Sequence, residues 1–200
     1  FDRKQWTFRS GDENGGVYKS SDGGLTWTRK TTGLPKLIGR LGIKVSPSAP
    51  NVVYVVAETR EGYVFRSDDN GETWRKVSDN AHTLGRGFYY ADLRVDPQNP
   101  DRLYTLGMAY MLTIDGGRTF NAMTGNFHGD FQTLWIDPLN PKRLLMGDDG
   151  GLNVSYDQGK GWEWFQDIPV GQFYSPVAYR KNLSGVLDTV RLVLWNIEKK

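Results

Sequence analysis

One short motif occurs four times in this chain, and it constrains the fold more than any other sequence feature. Each copy has Ser or Thr at its first position, Asp at the third, Gly at the fifth, Thr or Gly at the seventh and an aromatic residue at the eighth. We call it the Asp motif, and its copies are residues 20–27, 67–74, 113–120 and 155–162. The final aromatic residues stand 47, 46 and 42 residues apart. A period of this length indicates stacked supersecondary units.

A second pattern, rich in Pro and Asn or Asp, alternates with the Asp motif. We call it the Pro turn, and its copies are residues 45–51, 95–101 and 136–142. Proline presets φ, and Asn and Asp side chains accept hydrogen bonds from nearby backbone amides, so the pattern predicts tight turns. Short runs of branched and aromatic residues flank each turn, which is typical of β-strands.

Together the two motifs predict a repeating order of strand A, Pro turn, strand B, loop, strand C, Asp motif and strand D. Four antiparallel strands in a repeat of about 40–50 residues form one blade of a β-propeller. We therefore predict an all-β fold, a β-propeller of four-stranded antiparallel blades with Asp-motif C–D hairpins, of which about 3.5 to 4 blades are present. The predicted single partial propeller, 1–200, has a C–D hairpin of a first blade in 1–33, full blades in 39–80, 88–124 and 130–167, and an irregular tail or the start of a next blade in 171–200.

The two ends of the chain leave two closures open. Residues of about 171–198 could join the N-terminal hairpin and complete a four-bladed ring, which leaves no exposed edge. Otherwise the chain is an open arc of a larger propeller. The arc is favoured because residues 15–33 resemble the end of an earlier blade and the tail matches no repeat well. The chain begins inside a repeat, so we expect a fragment whose start, and any export signal, lie upstream.

Composition argues against several classes of function. A net charge of +2 in 200 residues is too small to predict nucleic acid as a partner, and no apolar run has the length of a membrane span. The absence of Cys excludes disulfides and thiol nucleophiles, and only 2 His residues disfavour a His-rich metal site. Each Asp motif offers one fixed carboxylate, whereas calcium takes about six to eight oxygen ligands. We expect no metal and no cofactor.

The Asp motif is predicted to build a hairpin rather than to catalyse a reaction. Gly at the fifth position tolerates a positive φ, and Asp at the third position can accept hydrogen bonds from amides of the loop. The aromatic residue starts strand D and can pack between blades. The structural residues of the four motifs are Asp22, Trp27, Asp69, Trp74, Asp115, Phe120, Asp157 and Trp162.

The four Asp motifs resemble the Asp box, which is also called the BNR repeat. Five sequence segments also resemble bacterial BNR-repeat glycosyl hydrolases and sortilin-type propellers. These segments are GVYKSSDGG at 16–24, IGRLG at 38–42, VSP at 45–47, WIDP at 135–138 and GDDGG at 147–151. Xyloglucanases and sialidases share the Asp box more distantly. The resemblance covers about residues 6–174, and it implies a propeller that is secreted, periplasmic or at the cell surface, with further blades in the full protein.

Strand direction separates the two ends of each blade. The A–B and C–D turns share one end, so the B–C and D–A loops share the other, where we expect functional residues because loops on a rigid scaffold collect binding groups. Polar groups among aromatic rings suit a glycan or a peptide ligand. The candidates are Arg40, His82, Arg86, Phe88, Tyr89, Tyr90, His128, Asp130, Phe131, Gln132, Gln172 and Tyr174 in D–A loops, with Glu58, Arg60, Glu61, Asp148 and Asp149 in B–C loops. The predicted ligand-binding residues among them are Arg40, Arg86, Tyr89, Tyr90, His128 and Gln132.

The carboxylates of these loops allow two interpretations. The stretch 148–151 is most simply a tight B–C hairpin, because Asp-Gly is a strong hairpin signal. The stretch also contains the best candidates for general acid–base catalysis, Asp148 and Asp149. The candidate catalytic pair is Asp130 with one of these two residues. Glycosidases place two carboxyl groups about 5 Å apart for retention, or roughly 6.5–9.5 Å apart for inversion. Proteins that the chain resembles often have a second His where Gln132 stands, which further disfavours a metal site.

Three functions stay open at this point. The first is a non-catalytic ligand-binding propeller module for a glycan or a peptide. The second is a glycoside hydrolase, sialidase-like or xyloglucanase-like, although no Arg cluster with a Tyr nucleophile is evident for a sialidase. Large xyloglucanase-like enzymes have their site between two propellers, so half of such a site could lie elsewhere. The third is a structural scaffold. Asn153 and Asn182 fit the glycosylation sequon.

Overall fold

The structure is a computed structural model that describes residues 2–4, 7–9, 11–87, 89–165, 178–179 and 191–192. The chain divides into two compact units, Phe1–Met123 and Thr124–Lys200, which we call unit 1 and unit 2. The strands of unit 1 are β1 (Asp2–Lys4), β2 (Thr7–Arg9), β3 (Tyr18–Lys19), β4 (Thr28–Arg29), β5 (Leu41–Val45), β6 (Val53–Ala57), β7 (Val64–Ser67), β8 (Arg75–Ser78), β9 (Asp92–Val95), β10 (Leu103–Leu106), β11 (Met111–Thr113) and β12 (Asn121–Ala122). Those of unit 2 are β13 (Thr133–Ile136), β14 (Leu144–Asp148), β15 (Gly151–Ser155), β16 (Glu163–Phe165), β17 (Ala178–Tyr179) and β18 (Arg191–Leu192).

Consecutive strands pair antiparallel in every sheet. Unit 1 has two four-stranded sheets, β5-β6-β7-β8 and β9-β10-β11-β12, and the two-stranded sheets β1-β2 and β3-β4. Unit 2 has the four-stranded sheet β13-β14-β15-β16 and the pair β17-β18. The described residues contain a single turn of 3₁₀-helix, Ala81–Thr83, and no α-helix. The predicted all-β fold class, with four-stranded antiparallel blades and Asp-motif C–D hairpins, is confirmed. The predicted tail lies outside the described residues apart from β17 and β18.

The Pro turn and the Asp motif of each four-stranded blade lie at the same end, as strand direction predicts. The amide at the fourth position of the motif donates to the carbonyl that follows the second proline of the turn. The three equivalent bonds join Asn70 to Asn51, Gly116 to Asp101 and Gln158 to Lys142, each at 2.9 Å. This repeated bond fixes the A–B turn against the C–D hairpin in all three blades.

The apolar core of unit 1 lies on both faces of β6. Val52, Tyr54 and Val56 pack with Leu93 and Leu103 of the following blade. The alternate residues Val53, Val55 and Ala57 pack with Val17, Ile38, Phe65 and Trp74 on the other side. Because side chains alternate along a strand, a strand that is apolar at every position is buried on both faces. The β5–β8 blade is therefore covered on both sides within unit 1.

The repeated aromatic residue behaves differently in the first two Asp motifs. Trp74 is 5% exposed, and its indole N–H donates to the Lys30 carbonyl of the preceding hairpin at 3.0 Å. Trp27 is 61% exposed, and its N–H donates to Gly24 of its own hairpin. The prediction that the motif aromatic packs between blades holds for Trp74 and is wrong for Trp27, because the described residues place no blade against the open side of the first hairpin.

We expect Trp74→Ala to lower the free energy of unfolding by about 3–5 kcal/mol, since it empties a packed site between the first hairpin and the next blade. The matched change Trp27→Ala should cost only about 0.5 kcal/mol, because this ring is largely solvated. Urea denaturation of the whole chain measures both values. Equal losses from the two substitutions would contradict the different roles assigned to the two rings.

Candidate functional site

The Asp carboxylates of the four motifs are occupied by hydrogen bonds within their own hairpins. In the second copy, Ser67 Oγ and the Thr73 amide donate to Asp69 Oδ1 at 2.7 and 2.9 Å, and Thr73 Oγ1 donates to Oδ2 at 2.5 Å. The first and third copies repeat this pattern around Asp22 and Asp115. The fourth copy has Gly161 in place of Thr, so Asp157 accepts from the amide of that residue and from the Ser155 hydroxyl but has no threonine hydroxyl to accept from. The four carboxylates are thus turn-forming groups, as the sequence indicated.

These hydrogen bonds lower the pKa of the motif carboxyls. The hydroxyl and amide of Thr26 lower the pKa of Asp22 to about 2. Burial raises the pKa of Asp115, but the hydrogen bonds from Thr119 outweigh it and bring the pKa to about 2. The pKa values of Asp69 and Asp157 are lowered too, chiefly by hydrogen bonds from Thr73 and from the Gly161 amide. Each hairpin therefore depends on an ionised Asp.

We expect the stability of the chain to fall in acid because of these four carboxyls. Their folded-state pKa values lie below the unfolded value of about 3.9, so their stabilisation is complete above about pH 5 and is lost as the pH falls toward about 2. Urea midpoints measured between about pH 7 and about pH 2.5 should show this loss. The Asp115→Asn variant, which has one ionisable carboxyl fewer, should show a shallower pH dependence than the unmodified chain. A parallel pH dependence of the two proteins would contradict the prediction.

Glycine at the fifth position of the motif has a positive φ, as predicted, between 81° and 95° in the four copies. The fourth position is left-handed as well, with φ of 60° at Asn70 and 65° at Gln158. A side chain other than Gly is strained in this region, and Asn tolerates it best. The strain is held by the hydrogen bond from this position to the Pro turn.

The Asp-motif end also carries a link between the two four-stranded blades of unit 1. Arg66 Nη1 donates to Tyr54 Oη at 2.8 Å and to Asp101 Oδ1 of the following Pro turn at 2.5 Å. Tyr54 in turn donates to the Pro100 carbonyl at 2.9 Å, and burial raises its pKa to about 12. Charged side chains at this end therefore serve packing between blades.

At the opposite end of the unit 2 blade, the loop 127–132 lies against the β14–β15 hairpin. The Gln132 amide donates to the Gly147 carbonyl at 3.0 Å, and the Asp149 amide donates to the Gly129 carbonyl at 3.4 Å. Gln132 Nε2 also donates to Asp149 Oδ1 at 3.4 Å. The D–A and B–C loops thus share an end, as strand direction predicts. We call residues 127–132 and 148–151 together the loop site.

Asp148 is a structural member of the loop site. It is 1% exposed and accepts hydrogen bonds from the Gly150 amide at 2.8 Å, Asn153 Nδ2 at 3.2 Å and the His128 amide at 3.3 Å. A buried carboxylate with three donors holds the hairpin to the loop. The hairpin interpretation of this stretch therefore accounts for Asp148. Asn153 of the first glycosylation sequon is buried against it, and Asn182 lies outside the described residues.

Asp130 and Asp149 differ from Asp148 in their exposure. Both are half-buried, and His128 beside them is exposed. Asp130 has a φ of 50°, a left-handed conformation that turns the chain between His128 and Gln132. The structure thus brings His128, Asp130, Gln132, Asp148 and Asp149 of the predicted site together within one blade of unit 2.

The predicted site residues of unit 1 are mostly engaged in loop packing. Arg40 Nη1 donates to the Tyr89 carbonyl at 3.0 Å, and Arg86 Nε lies 3.2 Å from Met108 Sδ. Tyr90 Oη donates to Asp92 at 3.3 Å, and burial followed by the charge of Asp92 raises the pKa of this tyrosine. The side chain of Tyr89 stays exposed. Arg40 thus braces the loop that carries Tyr89.

Of the other candidates, Phe131 is resolved by burial and three fall outside the described residues. Phe131 is buried and makes an edge-to-face contact with Phe127, whose ring also contacts Trp162. Phe88, Gln172 and Tyr174 lie outside the described residues. Among the residues that the structure does describe, no three His, Asp or Glu side chains are grouped to hold a metal ion. No helix in the same residues is long and apolar enough to cross a membrane.

Trp164, which the sequence predictions did not include, lies at the loop site. It is 42% exposed, and its indole Nε1 donates to the Gly150 carbonyl at 3.3 Å. A signal for it exists in the sequence, because the residue two positions after the motif aromatic is Arg29, Lys76 and Ala122 in the other copies. A tryptophan at this position departs from the repeat.

We expect Asp148→Ala to lower the free energy of unfolding by roughly 2–4 kcal/mol, because it leaves buried donors without an acceptor. Asp149→Ala should cost less than about 1 kcal/mol, since this half-buried carboxylate accepts one long side-chain hydrogen bond. Urea unfolding of the two variants separates a structural carboxylate from one available to a ligand. An Asp149 variant that is the less stable of the two would reverse the assignment.

Comparisons of sequence relate the chain to fungal enzymes. It is 24% identical over 163 residues to the "Probable oligoxyloglucan-reducing end-specific xyloglucanase" of Neosartorya fischeri. This alignment covers 72% of this chain and 20% of that protein. It is 25% identical over 146 residues to the "Oligoxyloglucan-reducing end-specific xyloglucanase" of Emericella nidulans, covering 64% of this chain and 18% of that protein. The chain thus spans about a fifth of the length of these curated relatives. No protein-family model matches the chain.

Comparisons of structure identify the fold. The GH74 xyloglucanase from Xanthomonas campestris matches with a TM-score of 0.58 at 19% identity, over 84% of this chain and 30% of that one. The GH74 enzyme of Niastella koreensis matches with a TM-score of 0.56 at 18% identity, over 76% of this chain and 26% of that one. These neighbours are β-propellers. The four-stranded sheets of this chain are therefore blades of the β-propeller fold.

Proposed function

We propose that this chain is part of an Asp-box, BNR-type propeller that binds a glycan of the xyloglucan class at the loop site, without cleaving it. The observation that carries the proposal is the hydrogen bonding that holds loop 127–132 on the β14–β15 hairpin. This bonding presents His128, Asp130 and Asp149 together from a fixed backbone. A preorganised set of polar groups lowers the entropic cost of orienting a polyhydroxylated ligand.

The burial and hydrogen bonding of the three candidate catalytic carboxylates support a binding role. Asp148, one of the three candidate catalytic residues, is buried and committed to three hydrogen bonds of the hairpin. Asp149 and Asp130 are half-buried and accessible to sugar hydroxyl groups. Carboxylates that accept hydrogen bonds from neutral hydroxyls are a strong form of polar contact. The names of the fungal relatives supply the glycan class.

A second candidate function, glycoside hydrolysis, is favoured by the same relatives, which are named as xyloglucanases. For this chain it assigns the acid–base pair to Asp130 and Asp149, because Asp148 is held by the hairpin. Either function implies a location outside the cytoplasm, where such glycans are found.

The proposal predicts that the whole chain binds xyloglucan oligosaccharides in a calorimetric titration and does not bind mannan oligosaccharides of equal length. Asp149→Ala should weaken binding about tenfold or more, because a hydrogen bond to a charged group contributes about 1.5–3 kcal/mol. Tyr156→Ala is the matched control, since this exposed side chain belongs to the Asp motif at the opposite end of the same blade. It should bind with unchanged affinity.

Three outcomes would decide against non-catalytic binding at the loop site. Equal affinity of the Asp149 and Tyr156 variants would place the ligand elsewhere on the chain. Release of reducing sugars by the unmodified chain, abolished by Asp130→Asn and by Asp149→Asn, would replace binding by hydrolysis as the function. Absence of both binding and hydrolysis would overturn the two candidates together.

A further inference from the structure

The residue two positions after the motif aromatic lies over the loop before strand C in the first hairpin and in the β5–β8 blade of unit 1. In the first hairpin, Arg29 Nη2 donates to the Gly15 carbonyl at 2.6 Å. In the next blade, a β-carbon built on Gly62 would lie 2.4 Å from Lys76 Cδ, so this lysine covers the same loop. The fold therefore directs this side chain from strand D toward the end of the blade opposite the Asp motif.

Trp164 has this position in unit 2. Its indole Nε1 donates to the Gly150 carbonyl, and a β-carbon built on Gly151 would lie 3.5 Å from the same nitrogen. The ring thus lies on the turn of the β14–β15 hairpin. The equivalent residue of the β9–β12 blade is Ala122, which is too short for such a contact. Among the four residues at this position of the repeat, Trp164 is the one with an aromatic ring, and it places that ring at the loop site.

The ring of Trp164 is both held and accessible. Its N–H is used by the hairpin carbonyl, while 42% of the residue remains exposed. Trp74, by contrast, is buried between the first hairpin and the next blade. A ring that one hydrogen bond already orients loses less side-chain entropy when a ligand stacks on it. An exposed indole with a fixed edge is suited to stacking rather than to packing.

The carboxylate of Asp149 belongs to the same turn. Asp149 and Gly150 connect β14 to β15, and Gln132 Nε2 donates to the Asp149 carboxylate. The ring of Trp164 is held on the Gly150 carbonyl, and the carboxylate acceptor belongs to the adjacent residue Asp149, so both lie at the same turn. A pyranose ring presents the complementary chemistry, an apolar face of C–H groups and a rim of hydroxyl groups.

We propose that Trp164 is the stacking surface for one pyranose ring of the bound glycan, and that Asp149 accepts hydrogen bonds from the hydroxyl groups of that ring. This assignment rests on the proposed glycan-binding function and adds to it the residue that contacts the apolar face of the sugar. No covalent step is involved.

The test compares three variants of the whole chain by calorimetric titration with xyloglucan oligosaccharides. Trp164→Ala should weaken binding about tenfold, whereas Trp164→Phe, which keeps an aromatic face, should stay within about threefold of the unmodified chain. Phe165→Ala is the matched control, because Phe165 is 44% exposed on the same strand and points to the opposite face of the sheet. It should leave the affinity unchanged.

A second measurement does not depend on the stability of the Ala variant. The indole N–H signal of Trp164, assigned by its absence from the spectrum of Trp164→Phe, should shift during titration of the unmodified chain with the same oligosaccharides. An unshifted signal would overturn the stacking role. So would wild-type affinity in Trp164→Ala combined with weakened binding in Asp149→Ala, a result that leaves the glycan-binding function intact. No binding by the unmodified chain would instead remove the proposed function itself.

Discussion

The hydrogen bond from the fourth-position amide of the Asp motif to the carbonyl after the Pro turn is the contact on which each blade depends. It occurs three times with the same length, 2.9 Å, between Asn70 and Asn51, Gly116 and Asp101, and Gln158 and Lys142. It ties the A–B turn to the C–D hairpin at the same end of each blade. The left-handed φ of Asn70 and Gln158 shows that the chain accepts local strain to make this bond.

This constraint separates the two ends of the blade by role. At the motif end, ionised Asp carboxylates and the Arg66 network are committed to turns and to packing between blades. At the opposite end of the unit 2 blade, the two loops are joined by hydrogen bonds such as the one from Gln132 to Asp149. Polar side chains at that end that are not committed to turns or to packing between blades remain available to a ligand. For this reason we assign the proposed function to the loop site and not to the four repeated Asp residues.

The fold was largely predictable because its signals are local. The Ser, Asp, Gly and Thr of one motif bond to each other within four residues, so the hairpin, the positive φ of Gly71 and the acceptor role of Asp69 follow from residue type and spacing. The candidate site was predictable only as a region. Strand direction places Asp148 and Asp149 at the same end, but it does not distinguish the carboxylate that holds the hairpin from the one that faces outward.

The sequence by itself determined the all-β class, the strand order, the hairpin role of the four Asp residues and the end of the blade where function is expected. Tertiary structure alone decided that Trp74 is buried while Trp27 is exposed, that Asp148 is structural, and that Trp164 lies on the β14–β15 turn. Each of these depends on a partner that no spacing rule identifies, such as the Lys30 carbonyl 44 residues from Trp74. Burial and pairing across distant segments are set when the blade packs, because the same motif residue meets different neighbours in each repeat.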